Sequence, residues 1–333
     1  MARKVEVINY TEDWKLNFLE EIKNLKGILG EEIIEIYHVG STSIPGMPAK
    51  PIIDIIPVVE NINRVDFFNE VFVRNGYIVM GEYGIYQRRF FIKGSMDERT
   101  HHIHVYEKGD CNIIRHILFR DYMIDNPQRA IEYALLKKKL SKDFVYDIEG
   151  YISGKNDFIK SVESDICKSA LIRDAICEDA FSICKANIVT WKDAYKGIVS
   201  DGYLNSLKAS EWEQRWEESI MQGNTKTKVV DLKGYTLGFV FFGIDKGSEI
   251  GASEIYAFYI SPVYQSKGLG EKLFKEAYKE LKNEGYNTLK IWTLRDNKYR
   301  KFYEKQGGVL AGEKTIKIGE QQLIEVLYRW NLN

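Results

Sequence analysis

The pattern of apolar and polar positions in the first part of the chain predicts a mixed set of helices and strands. Trp14, Phe18 and Ile22 recur at helical spacing in TEDWKLNFLEEIKNL, with Thr11 as the predicted N-cap. Two apolar strands follow, EIIEIYHV and IIDIIPVV, separated by the turn segment GSTSIPGMPAKP. A helix closed by Gly76, two strands in RRFFIKG and THHIHVYEKG, and a helical remainder complete the expected α+β domain.

The second part of the chain begins with a predicted strand, ALIRDAI, and a helix from Glu178 through Trp191. An antiparallel hairpin is predicted to turn at Lys233-Gly234, and the strand EIYAFYIS follows it. The next helix, EKLFKEAYKELKNEG, ends at Gly285, and a strand in LKIWTL and a helix in NKYRKFYEKQGG come after it. The apolar stripe of the long helix consists of Leu273, Phe274, Ala277, Tyr278 and Leu281.

Chain length and composition both indicate two domains. A chain of 333 residues is long for a single hydrophobic core. All five histidines lie between His38 and His116, whereas five of the six tryptophans lie from Trp191 onward. Near Ala170 a helical pattern gives way to a strand-like one, so we expect domains at residues 1–168 and 169–333.

Charge and cysteine content exclude several classes of protein. With 47 Lys and Arg against 48 Asp and Glu, the net charge of -1 creates no overall field that attracts nucleic acid or an anionic membrane. No apolar run approaches the roughly 18 to 20 residues of a membrane span. The four cysteines form no CxxC pair, and the N-terminus has no apolar leader segment. We therefore expect a reduced, cytoplasmic protein with no nucleic-acid or membrane partner.

The segment QSKGLG, between the strand EIYAFYIS and the long helix, has the composition of an anion-binding turn. A strand, a glycine-rich turn and a helix N-terminus together point unpaired N–H groups and the positive end of the helix dipole at one place. Glycine at positions 268 and 270 lets the backbone approach a diphosphate closely. The alternative is an ordinary connection between a strand and a helix.

The order of these segments resembles the GNAT family of acetyl-CoA-dependent N-acetyltransferases across about residues 170 to 331. In that family a Q/R-x-x-G-x-G/A turn binds the coenzyme A pyrophosphate, and residues 265–270 match it. A later signature ending in FYEKxGF is also matched, with Gly308 in place of the final Phe. The resemblance implies a GNAT mixed-sheet acyl-CoA N-acyltransferase fold with acetyl-CoA as cofactor. The cofactor-binding residues that it implies are Tyr259, Ile260, Gln265, Ser266, Lys267, Gly268, Leu269, Gly270 and Asn297.

Acetyl transfer to an amine requires a base, donors for the developing oxyanion, and an acid for the leaving thiolate. Because this half has no histidine, the base is a carboxylate or a water relay, and the resemblance implies Glu254. It also implies Tyr303 as the general acid and the backbone N–H of Tyr259 or Ile260 as the oxyanion donor. Asn297 has two compatible roles, a helix cap and a neighbour of the pantetheine. The alternatives are a surface charge for Glu254 and a core position for Tyr303.

The acceptor site is expected beneath the first helices of this domain. The segment TWKDAYKGIVSDGYLNSL resembles small-molecule versions of the GNAT fold, and Trp191, Tyr195 and Tyr203 are the candidate substrate residues in it. Aromatic residues at such spacing also build cores. We expect the acceptor to be a primary amine of a small molecule or a peptide.

The segment HVGSTSIPGMPAKPIIDI begins a resemblance to the GrpB family that covers about residues 5 to 165. That family looks like a branch of the nucleotidyltransferase fold, in which Gly-Ser opens a helix that holds a triphosphate and a D-x-D strand binds metal. Gly40 and Ser41 match the first feature, and Asp54 matches the first carboxylate. Because Ile56 replaces the second carboxylate, the resemblance implies binding of a nucleotide or another phosphorylated ligand without two-metal catalysis.

The run HHIH adds a candidate metal site to the first domain. Strand alternation puts His102 and His104 on one face, where they are able to join Asp54 as ligands of a divalent metal such as zinc. The alternative is a hydrogen-bonded strand edge without metal.

Cationic residues beside the matched segments are candidates for clamping a phosphate, with Lys50 and Arg89 joining Gly40 and Ser41 in the predicted phosphate site. Solvated surface charges are the alternative reading of this cluster. Its other members are Arg88, Arg99 and Arg120.

The sequence as a whole therefore predicts a nucleotidyltransferase-like α+β domain followed by an α/β GNAT N-acetyltransferase. Two alternatives stay open at this stage. The protein is a non-catalytic binder of a nucleotide or metal and of coenzyme A, or it is a bifunctional acetyltransferase and nucleotidyltransferase.

Overall fold

A computed structural model describes residues 4–208, 212–222, 225–247 and 249–332. The chain divides into two compact units, one ending at Ile166 and the other beginning at Cys167. The division falls inside the helix Asn156–Lys168.

The first unit is built on a five-stranded sheet in the order β1-β2-β5-β4-β3. Only the central pair, β2 and β5, is parallel, and every other neighbouring pair is antiparallel. Four of the strands coincide with predicted segments, whereas the three-residue edge strand β3 was not predicted. The strands are β1 (Ile33–Val39), β2 (Ile53–Val59), β3 (Tyr77–Val79), β4 (Arg89–Gly94) and β5 (Arg99–Glu107).

The helices of this unit agree with the periodicity except at their ends. The first helix begins at Asp13 and has Glu12 rather than Thr11 as its N-cap residue, although the Thr11 hydroxyl accepts the Asp13 N–H at 3.3 Å. The helix predicted to close at Gly76 ends at Arg74. The helices are α1 (Asp13–Leu29), α2 (Asn69–Arg74), α3 (Cys111–Asp125), α4 (Pro127–Asp143), α5 (Ile148–Ser153) and α6 (Asn156–Lys168).

Each face of this sheet has its own apolar core. On one face Ile53, Ile55 and Phe91 pack with residues of α1 and α2, and on the other Ile56 and Tyr106 pack with α3. Because side chains alternate along a strand, Asp54, between Ile53 and Ile55, lies on the same face as Ile56.

The second unit contains a seven-stranded sheet in the order β11-β12-β10-β9-β8-β7-β6. Its only parallel pair among the described residues is β9 with β10. The predicted hairpin at Lys233-Gly234 is confirmed, since Leu232 pairs with Tyr235. The strands are β6 (Leu171–Asp174), β7 (Lys226–Leu232), β8 (Tyr235–Ile244), β9 (Ala252–Ile260), β10 (Thr288–Leu294), β11 (Val309–Ile318) and β12 (Gln321–Asn331).

The long helix of this unit buries the predicted apolar stripe, except that Tyr278 is only half-buried and donates its hydroxyl to the Asn331 carbonyl. The helix predicted over NKYRKFYEKQGG is shorter than expected, because successive i to i+3 turns from Asn297 to Tyr303 precede and overlap it. The helices are α7 (Ala180–Tyr195), α8 (Asp201–Ser206), α9 (Glu213–Gln222), α10 (Leu269–Asn283) and α11 (Lys301–Lys305).

In the described part of the chain, no helix combines the length and the apolar character that crossing a membrane requires.

Candidate functional site

The two parallel strands of the second unit separate and leave an opening in the sheet. β9 and β10 are paired from Ala252 with Thr288 to Ile255 with Ile291, and beyond that point they are not paired with each other. A cavity of about 570 Å³ occupies this opening. Its walls include Phe258, Tyr259, Ile260, Gln265, Ser266, Gly268, Gly270, Thr293, Asn297, Phe302 and Tyr303.

The start of α10 forms one wall of this cavity. Gly268 is its N-cap residue and has a left-handed backbone (φ 79°), which a side chain adopts only with strain. A Cβ added at Gly268 would meet no atom within 4 Å, so the backbone there borders open space. The first N–H groups of the helix have no intrahelical acceptor and are available to an anion.

Side chains fix this turn against the end of β9. Gln265 donates from Nε2 to the Ile260 carbonyl at 3.0 Å, and Lys267 donates from Nζ to the Val263 carbonyl at 2.8 Å. Ser266 lines the cavity with a positive φ of 60°. Lys267 and Leu269 are not among the cavity walls, and Leu269 is buried in the core. Their assignment to the cofactor stays a prediction.

The oxyanion donor predicted at Tyr259 is wrong. The Ser261 N–H donates to Leu237 of β8, and N–H groups alternate between the two edges of an antiparallel strand, so the Tyr259 N–H also faces β8. By the same alternation the N–H groups of Phe258 and Ile260 face the opening. The Ile260 N–H therefore stays a candidate oxyanion donor, and the Phe258 N–H becomes a second one. The direction of these N–H groups follows only from the pairing of β9 with β8.

Three tyrosines form a buried polar cluster in the cavity. Tyr303 is 8% exposed, and burial holds its pKa far above the ordinary value, with Tyr195 adding to the effect. Burial likewise raises the pKa of Tyr195 and of Tyr259, whose hydroxyl accepts a hydrogen bond from Trp191 Nε1 at 2.8 Å. All three phenols are therefore neutral at physiological pH and able to donate a proton in a hydrogen bond.

Asn297 ties the turn after β10 to the cavity wall. Its side chain donates from Nδ2 to Thr293 Oγ1 and accepts the Tyr299 N–H, both at 2.9 Å. The residue caps the turns that lead to α11 and also lines the cavity, so both predicted roles are geometrically open.

Glu254 lies on β9 just before the strands separate. It pairs in register with Lys290, and the cavity wall begins at the next residue, Ile255. Burial raises the pKa of the Glu254 carboxyl, and the neighbouring Asp245, to which it is hydrogen-bonded, raises it further. A raised pKa makes the Glu254 carboxylate a stronger base than an exposed glutamate.

The three predicted substrate residues belong to one apolar cluster, in which the Trp191 ring lies 4.9 Å from the Tyr195 ring and 6.4 Å from the Tyr203 ring. Tyr195 lines the cavity, and Trp191 reaches it indirectly through Tyr259. Tyr203 does not line the cavity, because it packs in an apolar cluster beside Gly319 at the turn between β11 and β12. The assignment of Tyr203 as a substrate residue stays a prediction.

In the first unit the residues predicted as metal ligands come together. Asp54 and His102 are direct neighbours in the parallel pair of β2 and β5. His102 Nδ1 lies 3.0 Å and His104 Nε2 3.7 Å from Asp54 Oδ1, and one ligand atom of each residue lies within 4.8 Å of the others. Burial by itself would raise the pKa of Asp54. The interactions with His102 and His104 outweigh burial and hold this pKa well below its ordinary range.

The hydrogen bonds around His104 fix its proton. Arg88 lies 3.3 Å from His104 Nδ1, and because a guanidinium only donates, Nδ1 must accept. The proton of a neutral His104 is then on Nε2, directed at Asp54. A metal ion at Nε2 would require this proton to move and Arg88 to turn away.

Two predicted features of the phosphate site are wrong. Ser41 opens only a single 3-10 turn, Ser41–Ser43, because prolines and Gly46 follow within a few residues and no α-helix forms. Arg89 lies on the same face of the sheet as Phe91, opposite to Asp54. Its guanidinium donates from Nε and Nη2 to the two carboxylate oxygens of Asp66, at 2.6 and 2.8 Å. Gly40 does adjoin Asp54, since a Cβ there would lie 2.4 Å from Asp54 Oδ2.

Each of the two units is similar to a known protein family. The family model described as GrpB protein matches residues 4–165, and the model described as Acetyltransferase (GNAT) domain matches residues 202–319.

Individual relatives match one unit each. The UPF0157 protein YqkA of Bacillus subtilis (strain 168) is 50% identical over 163 residues, 49% of this chain, which spans about half the length of that relative (47%). The Glutamate-rich protein GrpB of Alkalihalophilus pseudofirmus is 34% identical over 167 residues, covering 49% of this chain and 96% of the relative. The Uncharacterized N-acetyltransferase YuaI of Bacillus subtilis (strain 168) is 29% identical over 160 residues, 48% of this chain and 91% of the relative. Through its first unit the chain belongs to the GrpB family, and a GNAT acetyltransferase domain forms its second unit.

Proposed function

We propose that the second unit is an N-acetyltransferase that moves the acetyl group of acetyl-CoA to a primary amine of a small molecule or peptide. The observation that carries this proposal is the opening between β9 and β10, which has the α10 N-terminus on one wall and Tyr303 on another. The match of the GNAT domain model over residues 202–319 supports the same activity.

In the proposed binding mode, the coenzyme pyrophosphate lies at the N–H groups that follow Gly268, where backbone dipoles offset its charge. The pantetheine then extends through the opening, past Asn297, in the direction of Tyr303. N–H groups of Phe258 and Ile260 facing the opening are the donors for the thioester oxygen.

In the proposed reaction the amine nitrogen attacks the thioester carbonyl carbon, forming the C–N bond while the C–S bond breaks. The ammonium form of the acceptor first loses a proton to Glu254, through water because Glu254 lies just beyond the cavity wall. The departing thiolate takes a proton from Tyr303, and the acylated nitrogen returns its second proton to the Tyr303 phenolate through water. Glu254 releases the first proton to solvent, so each turnover yields the amide, free coenzyme A and one proton.

The decisive experiment follows free thiol release from acetyl-CoA with a panel of polyamines, aminoglycosides, amino acids and peptides. We expect at least one amine to stimulate thiol release and to gain an acetyl group by mass spectrometry. Tight coenzyme binding without turnover on any acceptor class would instead favour a non-catalytic coenzyme A binder.

For the first unit we propose binding of a phosphorylated ligand at the turn Gly40–Ser43 beside Asp54. The support is the close approach of Gly40 to Asp54 and the position of Lys155, whose charge interacts with that of Asp54. A phosphorylated nucleotide should raise the melting temperature, and Asp54→Ala should reduce the rise. Transfer of labelled nucleotide to a hydroxylated acceptor, lost in Asp54→Ala, would instead support a bifunctional enzyme.

A divalent metal at Asp54, His102 and His104 is the second candidate in that unit, favoured by the convergence of their ligand atoms. It requires His104 to release Nε2 by changing its tautomer. We expect zinc to raise the melting temperature of the wild type and not of His102→Ala. An equal effect of zinc on both proteins would exclude this site.

A further inference from the structure

Three lysines from separate segments of the first unit gather around two tyrosine rings. The ammonium groups of Lys50, before β2, and of Lys155, between α5 and α6, lie 5.4 and 4.5 Å from the centre of the Tyr151 ring. Lys137 of α4 lies 4.7 Å from the centre of the Tyr133 ring. Of these lysines, only Lys50 was predicted as part of the phosphate site, because no local sequence pattern distinguishes Lys137 and Lys155 from surface lysines.

One of these lysines, Lys137, is unusually buried for a cationic group, whereas Lys50 and Lys155 are half-buried. Lys137 is 1% exposed, and its ammonium donates to the Pro48 carbonyl at 2.5 Å. Burial lowers the pKa of Lys137 to about 6, with Lys155 adding to the effect. Burial also lowers the pKa of Lys155 to about 8, and Lys50 lowers it further.

Within residues 4–208, 212–222, 225–247 and 249–332, neither Lys137 nor Lys155 forms an ion pair with a carboxylate. Asp54 acts on Lys155 only as a nearby charge, and its Oδ1 is already hydrogen-bonded to His102 at 3.0 Å. Buried ammonium groups without a carboxylate partner cost free energy, and such arrangements are common at functional sites. A bound anion would supply the missing charge.

The lysine cluster adjoins the turn that follows β1. Ser41 is near enough to the Tyr133 hydroxyl to affect its pKa, and the Tyr133 ring also contacts Lys137. Gly40, the residue before Ser41, lies against Asp54. The hydroxyl of the turn and the three ammonium groups therefore border one region.

We propose that Lys50, Lys137 and Lys155 bind the polyphosphate group of a phosphorylated ligand. This rests on the ligand binding proposed above for the first unit and replaces Arg89 by the lysines as its charged partners. Several ammonium groups match several adjacent phosphate charges better than a single monoester. Nucleotides and other diphosphate or triphosphate esters share this chemistry.

Binding of the phosphorylated ligand should be accompanied by proton uptake by the protein. A phosphate beside Lys137 favours its charged form, so a lysine that is mostly neutral near pH 7 becomes protonated in the complex. The charged and titratable groups around this lysine and Lys155 are Tyr133 of α4, Tyr151 of α5, Lys50 and Asp54. Both tyrosines have raised pKa values and Asp54 a lowered one, so the lysines are the groups of this set that titrate near neutrality.

The test is a calorimetric titration of the full chain with tripolyphosphate, in a Gly268→Val background that removes the competing anion site of α10. Lys155→Gln and Lys137→Met should each weaken binding by about tenfold or more, as expected for a lost charged hydrogen bond. Lys139→Gln, an exposed change on the same helix, should stay within about twofold of the parent. Parallel titrations with ATP and ribose 5-phosphate distinguish a nucleotide from a simple monoester.

Repeating the titration in two buffers of different ionisation enthalpy measures proton uptake. We expect uptake at about pH 7 in the parent and its loss in Lys137→Met, which a merely structural lysine would not produce. Lys155→Gln should melt no lower than the parent without ligand, because it removes repulsion between ammonium groups.

Tripolyphosphate binding that is unchanged in both lysine variants, or that proceeds without proton uptake, would overturn the lysine site while leaving ligand binding by the unit intact. Absence of binding by every phosphate probe would overturn both.

Discussion

At the scale of single residues, the reaction proposed for the second unit depends on a phenol and a carboxyl whose environments change their proton affinity. Tyr303 is enclosed by aromatic rings, with Phe302 and Tyr328 at 5.7 and 5.8 Å, and stays protonated. Glu254 holds its proton more tightly than an exposed carboxyl. One group is thus able to act as an acid and the other as a base.

The first prediction concerns the acid. Tyr303→Phe should lower turnover by about 10²-fold and leave acetyl-CoA binding nearly unchanged, because only the proton of the leaving group is lost. The measurement is steady-state kinetics with direct calorimetry of acetyl-CoA. Tyr278→Phe, whose hydroxyl binds the Asn331 carbonyl outside the cavity, is the matched control. Turnover in Tyr303→Phe equal to that of the control would exclude Tyr303 as the acid.

The second prediction concerns the base. Since burial and Asp245 raise the pKa of Glu254, activity should fall as pH decreases through that raised value, above the ordinary range of a glutamate. Glu254→Gln should suppress turnover at neutral pH and recover as the pH approaches the pKa of the acceptor amine.

The pH dependence of kcat/KM measures this effect, and Glu276→Gln on the exposed side of α10 is the control. A Glu254→Gln profile that superimposes on the wild type would remove Glu254 from the mechanism.

At the scale of elements, the site depends on how a turn enters a helix and where two strands separate. The stripe of α10 packs against the sheet, with Leu273 and Leu281 fully buried. That packing holds the helix N-terminus beside the end of β9, and Gly268 supplies the left-handed residue that the entry requires.

The third prediction tests this turn. Gly268→Val should abolish acetyl-CoA binding, because its side chain enters the open space beside the helix N-terminus and its backbone resists the left-handed conformation. Gly285→Val is the control for strain, since Gly285 has a similar φ of 84° at the other end of α10. Calorimetry should detect binding in the control alone. A folded Gly268→Val protein with wild-type affinity would contradict the assignment of the coenzyme site.

At the scale of the whole molecule, each unit has its own sheet and its own apolar clusters. The fourth prediction is that fragments 1–168 and 169–333 fold separately, because each sheet consists entirely of strands from its own unit. Circular dichroism and cooperative melting test the folding. Acetyl-CoA should bind fragment 169–333 with the affinity of the full chain, and a fragment that aggregates or loses this affinity would contradict the boundary at residue 168.

Local sequence patterns were enough to determine most elements and the position of the glycine-rich turn before α10. The hairpin at Lys233-Gly234, the stripe of α10 and the turn 265–270 each depend on residues close together in the chain, so spacing and turn chemistry predict them. The segment resemblances identified both families for the same reason, since each match is a local run of residues.

Only tertiary structure decided which of these residues meet. Lys50, Lys137 and Lys155 come together because α4 and the turn before α6 lie beside the start of β2, and no local pattern encodes that contact. Arg89 was misassigned because one step along a strand moves a side chain to the opposite face of the sheet. The direction of the Tyr259 N–H depended on its pairing with β8. These outcomes depend on strand pairing and helix packing between distant segments, where the free energy of the whole core selects the arrangement.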